Sequence, residues 1–478
     1  MRNDLASRVT RLSVALATGG VALWLWHCWC VFPSQLFNEL RLEPSFLLAN
    51  GVPIYPDPTE GPVTTWIYGP LSPILFLPAT LAGSAASALM IAGFINLLIV
   101  VGSLSLTCAL WPVAEGSRLT ALDRLLGILV CIMVWPGSSL QDLQADNAAV
   151  AFGLIGNLFL VRARPGAVNI RWCAAAMAVA AVGCKQTAWG ALFAQILWLG
   201  WREGWRAGIG HAVRGAFVGA ALALAALALF GPAGLWLNVV RLPSLLPWTN
   251  EWLARGRILA PYLAIHIAGP MIILVLARHR IWNRYSPLLL PALSWLAALP
   301  LGLAAVFKIG GTLNSLESYL LFLPSAIPTF VALQKKSRWI QPRIVAGVIA
   351  IAALRFYLVL GPRWVPRVAH FQEAKSIAAQ SPQQIWFPWN PLITYYSDHR
   401  FDHVEDGMFV RFVCGLPLTM TEARAHLPPH WKGMAIRRGN PEWGLAIHLC
   451  PPDARLTETQ FWTLRTWASQ NPPSSASK

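Results

Sequence analysis

Acidic side chains are scarce in this chain: 21 Asp and Glu stand against 37 Lys and Arg in 478 residues. Charged residues make up only 12%, where a soluble domain carries about 25%. That shortage excludes an ordinary soluble enzyme. Short alternating strands are missing from the first three quarters, which excludes an outer-membrane barrel. There is no CxxC and no HExxH, so nothing in the sequence asks for a metal or other cofactor. No internal repeat of the kind common in transporters is found. Basic residues are plentiful, with a net charge of +16. They form no single patch, and nucleic acid is not expected as a partner.

What is present is apolar. Hydrophobic residues account for 56%, and mean hydropathy is +0.51. Runs near the length needed to cross a bilayer recur along the chain. Backbone groups in lipid must bond within their own segment, so such runs are helices. The expected spans are 12–32, 84–112, 121–137, 147–162, 172–184, 187–201, 212–230, 258–278, 286–307, 318–334 and 343–361. The fifth and sixth are short enough to be one helix. Arg171 and Arg202/Arg206 share a side only if they are two. Short basic clusters separate the spans: Arg2/Arg8/Arg11, Arg118/Arg124, Arg162/Arg164/Arg171, Arg202/Arg206/Arg214, Arg278/Arg280/Arg284 and Lys335/Lys336/Arg338/Arg343. All are expected in the cytoplasm. The reading is an all-α polytopic membrane protein of about 11 transmembrane helices. Its N-terminus is inside and residues 1–30 form an uncleaved first helix. Residues 1–364 form the membrane domain, with a first outer loop at 33–83. Residues 365–478 form a small extracytoplasmic α/β or α+β domain, in which "IWFPWNPLITYYSDHRFDHVEDGMFVRFVC" reads as strands and turns.

Polar residues at the outer ends of the spans draw attention because charge is costly there. "FNELRLEPSFLLANGVPIY" opens the first outer loop. It places Glu39 and Glu43 on one face of a helix, with Pro44 in a first turn and Gly51 past the end. Either carboxylate can act as general base toward an acceptor hydroxyl, and either can simply solvate a surface loop. Tyr68 in "YGPLSP" offers a hydroxyl or anchors at the interface. Asp142 and Asp146 in "SLQDLQADNAAV" are four apart. Asp146 or Asn147 can cap a helix, and Asp146 can instead be catalytic or orient an acceptor. Lys185 and Gln186 in "GCKQTAWG" lie between apolar segments, where a lysine snorkels, pairs or meets a phosphate. "KIGGTLNSLES" brings Lys308, Asn314 and Glu317 to the same level. Cys414 and Cys450 are the tail's two cysteines, a disulfide candidate in an oxidising compartment or two buried thiols. The polar run His399, His403, Glu405 and Asp406 lines an acceptor entrance or edges a folded domain.

Taken in order, "LLANGVPIY", "YGPLSP", "LQADNAAVAFGL", "KQTA", "KIGGTLNSLES" and "FPWNPLITYYSDHRFDHVEDG" resemble segments of polytopic glycosyltransferases of the GT-C fold. The resemblance is to bacterial relatives of protein mannosyltransferases and lipid A aminoarabinose transferases. It implies an inverting transfer from a polyprenyl-phosphate-linked sugar to a glycan, lipid or protein hydroxyl, on the outer face of a bacterial inner membrane. The base it implies is Glu39, with Glu43 as rival, because this chain has Asn38–Glu39 where relatives carry an acidic pair or an aspartate. Gly69–Pro70–Leu71 stands where the aminoarabinose transferases carry a Lys-Pro-Pro donor-phosphate element. Phosphate contact then falls to Lys185 and Lys308, with Arg41 or Arg241 behind them. A lipid-linked glycan flippase and a non-catalytic envelope-assembly protein are the competing classes.

Overall fold

The computed structural model describes residues 2–57, 60–112, 119–135, 137–164, 166–276, 278–334, 342–359, 364–441, 443 and 445–467. Arg118, Lys335, Lys336, Arg338 and the terminal "NPPSSASK" lie outside the described residues.

Each expected span falls on helix. The helices are Arg2–Val31, Ala85–Leu110, Ala121–Val134, Ala145–Arg162, Val168–Cys184, Gly190–Glu203, Trp205–Phe230, Leu289–Val306, Leu323–Gln334 and Pro342–Val359. The eighth span, 258–278, is a succession of Trp252–Leu263, a π-turn at Ala264–Ala268 and Gly269–Leu276. The pair bends by 50° at this break. Among the described residues, Arg8–Ser34, Ala85–Leu110, Trp205–Phe230 and Leu289–Val306 are long and apolar enough to cross a membrane. Val168–Cys184 and Gly190–Glu203 are separate helices, broken at Lys185, whose backbone is extended (φ −140°, ψ 116°). The basic clusters had required that break.

A large apolar core joins the first helix to its neighbours through Trp24, Trp135, Trp295 and Phe322. The first outer loop is more ordered than the sequence suggests. Its helix spans Asn38–Ala49, so Pro44 stands inside it and not in its first turn. Glu39 takes the first turn instead, where the helix dipole favours a carboxylate. Gly51 follows at φ +69°, a conformation that glycine adopts without strain.

The tail carries a four-stranded mixed sheet of order β1-β2-β4-β3, with β1 Ile385–Trp386, β2 Gly433–Arg437, β3 Arg455–Glu458 and β4 Trp462–Thr466. β1 runs parallel to β2, and the other pairs are antiparallel. The stretch expected as strands and turns is instead mostly helical, at Pro391–Asp398 and Glu405–Val413. Pro391 sits at the start of its helix, where its missing N–H costs nothing. The tail does not stand apart from the loop. Phe371, Ile385, Phe387, Leu392 and Trp462 share one apolar cluster with Phe32, Leu42, Phe46 and Phe76.

Candidate active site

A narrow cleft of about 50 Å³ opens between the helices Ala145–Arg162, Gly190–Glu203 and Leu289–Val306 and the 3-10 segment Leu313–Leu321. Its wall is mostly small and apolar, including Ala149, Gly153, Ala191 and Ala298. Gly302 is required there: a Cβ would lie 2.5 Å from the Ser315 carbonyl oxygen. One end of the cleft is polar, and that end holds Asp146 and Lys185.

Lys185 Nζ donates to Asp146 Oδ1 at 2.5 Å, and both side chains are about nine-tenths buried. Asn314 Nδ2 donates to Asp146 Oδ2 at 2.8 Å and to Gln144 Oε1 at 3.1 Å. The ammonium also lies 5.6 Å from the centre of the Tyr68 ring. Thus three segments far apart in sequence meet at one carboxylate, and a fourth, with Tyr68, lies at its lysine. Asp146 does not cap its helix: Gln144 occupies the cap position without a side-chain bond, and the Asp146 carboxylate turns to the lysine. Asn147 pins the preceding turn by donating to Asn96 Oδ1 at 2.9 Å and to the Ser139 carbonyl at 2.8 Å.

Two more acids and a second cation surround this pair. Burial pushes the Asp142 carboxyl up, while Arg41 and Gln144 oppose the shift. Arg41 also opposes the burial that raises Asp406 to about 6. Glu317 is 1% exposed and receives no hydrogen bond on either oxygen.

The other expected residues lie elsewhere. Gln186 Nε2 donates to the carbonyls of Ile67 and Val239, tying the first loop to the π-turn Trp236–Arg241. Lys308 does not join Lys185; its Nζ donates to the Pro243 carbonyl at 2.9 Å and lies over the Trp248 ring. Arg241 is exposed at the end of its turn. Gly69 packs so closely that a Cβ would lie 2.0 Å from the Gly183 carbonyl oxygen, which leaves no room for a longer element there.

Glu39 is not on the cleft wall. It is 2% exposed beneath the tail, where Asn390 Nδ2 donates to its Oε1 at 2.5 Å. Burial raises it to about 8, against the pull of Asn390, Arg437 and the Leu392 and Ile393 backbone. Glu43 is wholly buried with no hydrogen bond to either oxygen, and burial, Asp402 and Glu39 all push it well up. Asp402 is raised to about 7 by burial despite Arg400.

Two members of the tail's polar run are tied to backbone groups. His403 Nδ1 accepts from the Val63 N–H, and Glu405 accepts from the Leu445 and Ala446 N–H groups. Cys414 and Cys450 are free thiols and not a disulfide. Cys414 donates to the Leu242 carbonyl and Cys450 to that of Ala446, and they sit in different apolar clusters. Sequence reasoning missed Gln144 and Asn390. Gln144 lay within a quoted motif, two residues before Asp146. Asn390 gave no signal, because its partner is 351 residues away.

No protein-family model matches the sequence, and no curated protein matches it. Among solved structures, the chain is similar to ArnT from Cupriavidus metallidurans, which was crystallised bound to undecaprenyl phosphate. The TM-score is 0.57 at 11% identity, over 95% of this chain and 98% of that one. The fold is GT-C. The match spans nearly the whole of both chains.

Proposed function

We propose that this protein is an integral-membrane glycosyltransferase that takes a sugar from a polyprenyl-phosphate carrier and passes it to a hydroxyl acceptor. The observation that carries the reading is the Asp146–Lys185–Asn314 cluster, closing one end of a small-residue cleft within a full-length GT-C fold. A polyprenyl chain suits a wall of alanine and glycine. Its phosphate suits a buried ammonium at the polar end.

The donor phosphate competes with Asp146 for Lys185. The carboxylate so released accepts the proton of the incoming hydroxyl. The acceptor oxygen bonds to the anomeric carbon with inversion, the carbon–oxygen bond to phosphate breaks, and the anionic polyprenyl phosphate leaves against Lys185. A fixed cation at the point where charge develops is the kind of preorganised stabilisation that dominates such reactions. Tyr68, through its ring, keeps the ammonium at the cleft. Arg41 offsets the surrounding acids. Asn314 holds Asp146 in place. The chain sits in a bacterial inner membrane, N-terminus cytoplasmic and tail outside, which puts this end of the cleft on the outer face.

The test is turnover by the purified full-length protein. Lipid-linked sugars extracted from the native membrane are supplied with envelope glycan or lipid, and products are read by mass spectrometry. Release of free polyprenyl phosphate together with a glycosylated acceptor supports transfer. Movement of intact lipid-linked sugar across vesicles without release would identify a flippase and overturn the reading.

A further inference from the structure

Glu317 sits behind the Asp146–Lys185 pair and not on the cleft wall. An ionised carboxylate buried here pays a desolvation cost that the Ser139 hydroxyl and the Lys185 charge oppose but do not cancel. The charges around it on each packed element make this worse. Asp142 comes from the turn before the helix Ala145–Arg162, and Asp146 from that helix; both disfavour ionisation. Lys185, at the break between Val168–Cys184 and Gly190–Glu203, favours it, but its ammonium is already engaged by Asp146. The Ser139 hydroxyl is the neutral polar group facing Glu317.

With Asp142, Asp146 and Glu317 all charged, Lys185 and Arg41 would be outnumbered, and an arriving phosphate would meet net repulsion. We propose that Glu317 is a positioning residue for the donor phosphate: as the neutral acid it leaves Asp146 as the phosphate's competitor for Lys185, and as the carboxylate it adds a second competing charge. Burial, reinforced by Asp146, holds it well above the ordinary carboxylate range, which agrees with this geometry. The role deepens the glycosyl-transfer reading and rests on Lys185 as the phosphate contact.

The experiment measures binding by the purified full-length protein from about pH 5 to about pH 9, a range set by the ordinary and raised carboxylate values. The probe is a citronellyl phosphodiester, whose single negative charge does not titrate there. Wild-type affinity is expected to fall with rising pH by at least about tenfold, the equivalent of one unit of coupling. Glu317→Gln, isosteric and permanently neutral, is expected to bind as tightly as the wild type at low pH and to lose the decline. Asp142→Asn removes a charge that opposes Glu317 ionisation, so its decline is expected at lower pH; this variant serves if Glu317→Gln fails to fold. A wild-type profile that stays level, a decline that persists in Glu317→Gln, or one that does not move in Asp142→Asn overturns the role. A wild type that binds no phosphodiester at any pH, with Lys185→Ala unchanged from it, overturns the glycosyl-transfer reading itself and this role with it.

Discussion

Two buried groups of carboxylates lie in this molecule, and they are built differently. Under the tail, Glu39, Glu43 and Asp402 are buried away from the cleft: Asp402 pairs with Arg400, Glu39 accepts from Asn390, and Glu43 has no donor to either oxygen. At the end of the cleft, Asp146 is held on both oxygens, by Lys185 and by Asn314, and faces open space. A carboxylate with a cation and a cavity can do chemistry. One sealed by a domain acts first on how that domain is held. Burial alone therefore does not mark the working acid; access and a fixed counter-charge do.

The comparison breaks most readily at Lys185. Lys185→Ala strips Asp146 of its buried partner, and breaking such a pair costs about 3–5 kcal/mol. Transfer is expected to fall by about 10²–10³. Lys185→Ala/Asp146→Ala should regain thermal stability in detergent without regaining transfer, because the pair's removal leaves no unpaired charge. Recovery of both would place the phosphate contact elsewhere.

Next come the acids themselves. Asp146→Asn is expected to cut transfer by about 10²–10⁴, the usual share of a general base. Glu39→Gln keeps the shape and the neutral state of a buried acid raised to about 8, so its transfer rate should stay within a few-fold of the wild type. Steady-state rates for both variants decide between them. A loss in Glu39→Gln as deep as in Asp146→Asn would return the base to the first loop and make the tail a cover that must lift.

Much of this arrangement was legible in sequence, for physical reasons. The helices were found because a bilayer demands long apolar runs. Lys185, Asp146 and Asn314 stood out because polar groups at that level are costly without a partner. What escaped was long-range. Nothing in "FNELRLEP" announces that Asn390 will close over Glu39, since the pairing depends on how a domain 351 residues away docks. Lys308 was placed with Lys185 by level alone, yet a backbone carbonyl at Pro243 claims its ammonium. The tail was misjudged locally: apart from the short β1 at Ile385–Trp386 the stretch is mostly helical from Pro391, and the other strands come later, from 433–437, 455–458 and 462–466.

The smallest effect concerns how the sealed group holds the tail, and it sharpens the comparison through pH. Glu39, Asp402 and Asp406 are raised to about 8, 7 and 6 in the folded protein, while the unfolded chain titrates near 4. Between those limits the folded state binds more protons than the unfolded one, so stability falls as pH rises. The favourable contribution is full below about pH 4 and is lost by about pH 8, as the last of the three ionises. The melting temperature of the tail, followed by fluorescence of its buried Trp386, Trp389 and Trp462, should therefore drop across this window. Glu39→Gln should lessen the slope by one proton across the whole window and have its clearest effect between about pH 7 and about pH 8, where Asp402 and Asp406 no longer contribute. A melting temperature that rises with pH would mean that these acids are ionised and paired in the folded state. The sealed group would then be no different in kind from the one at the cleft.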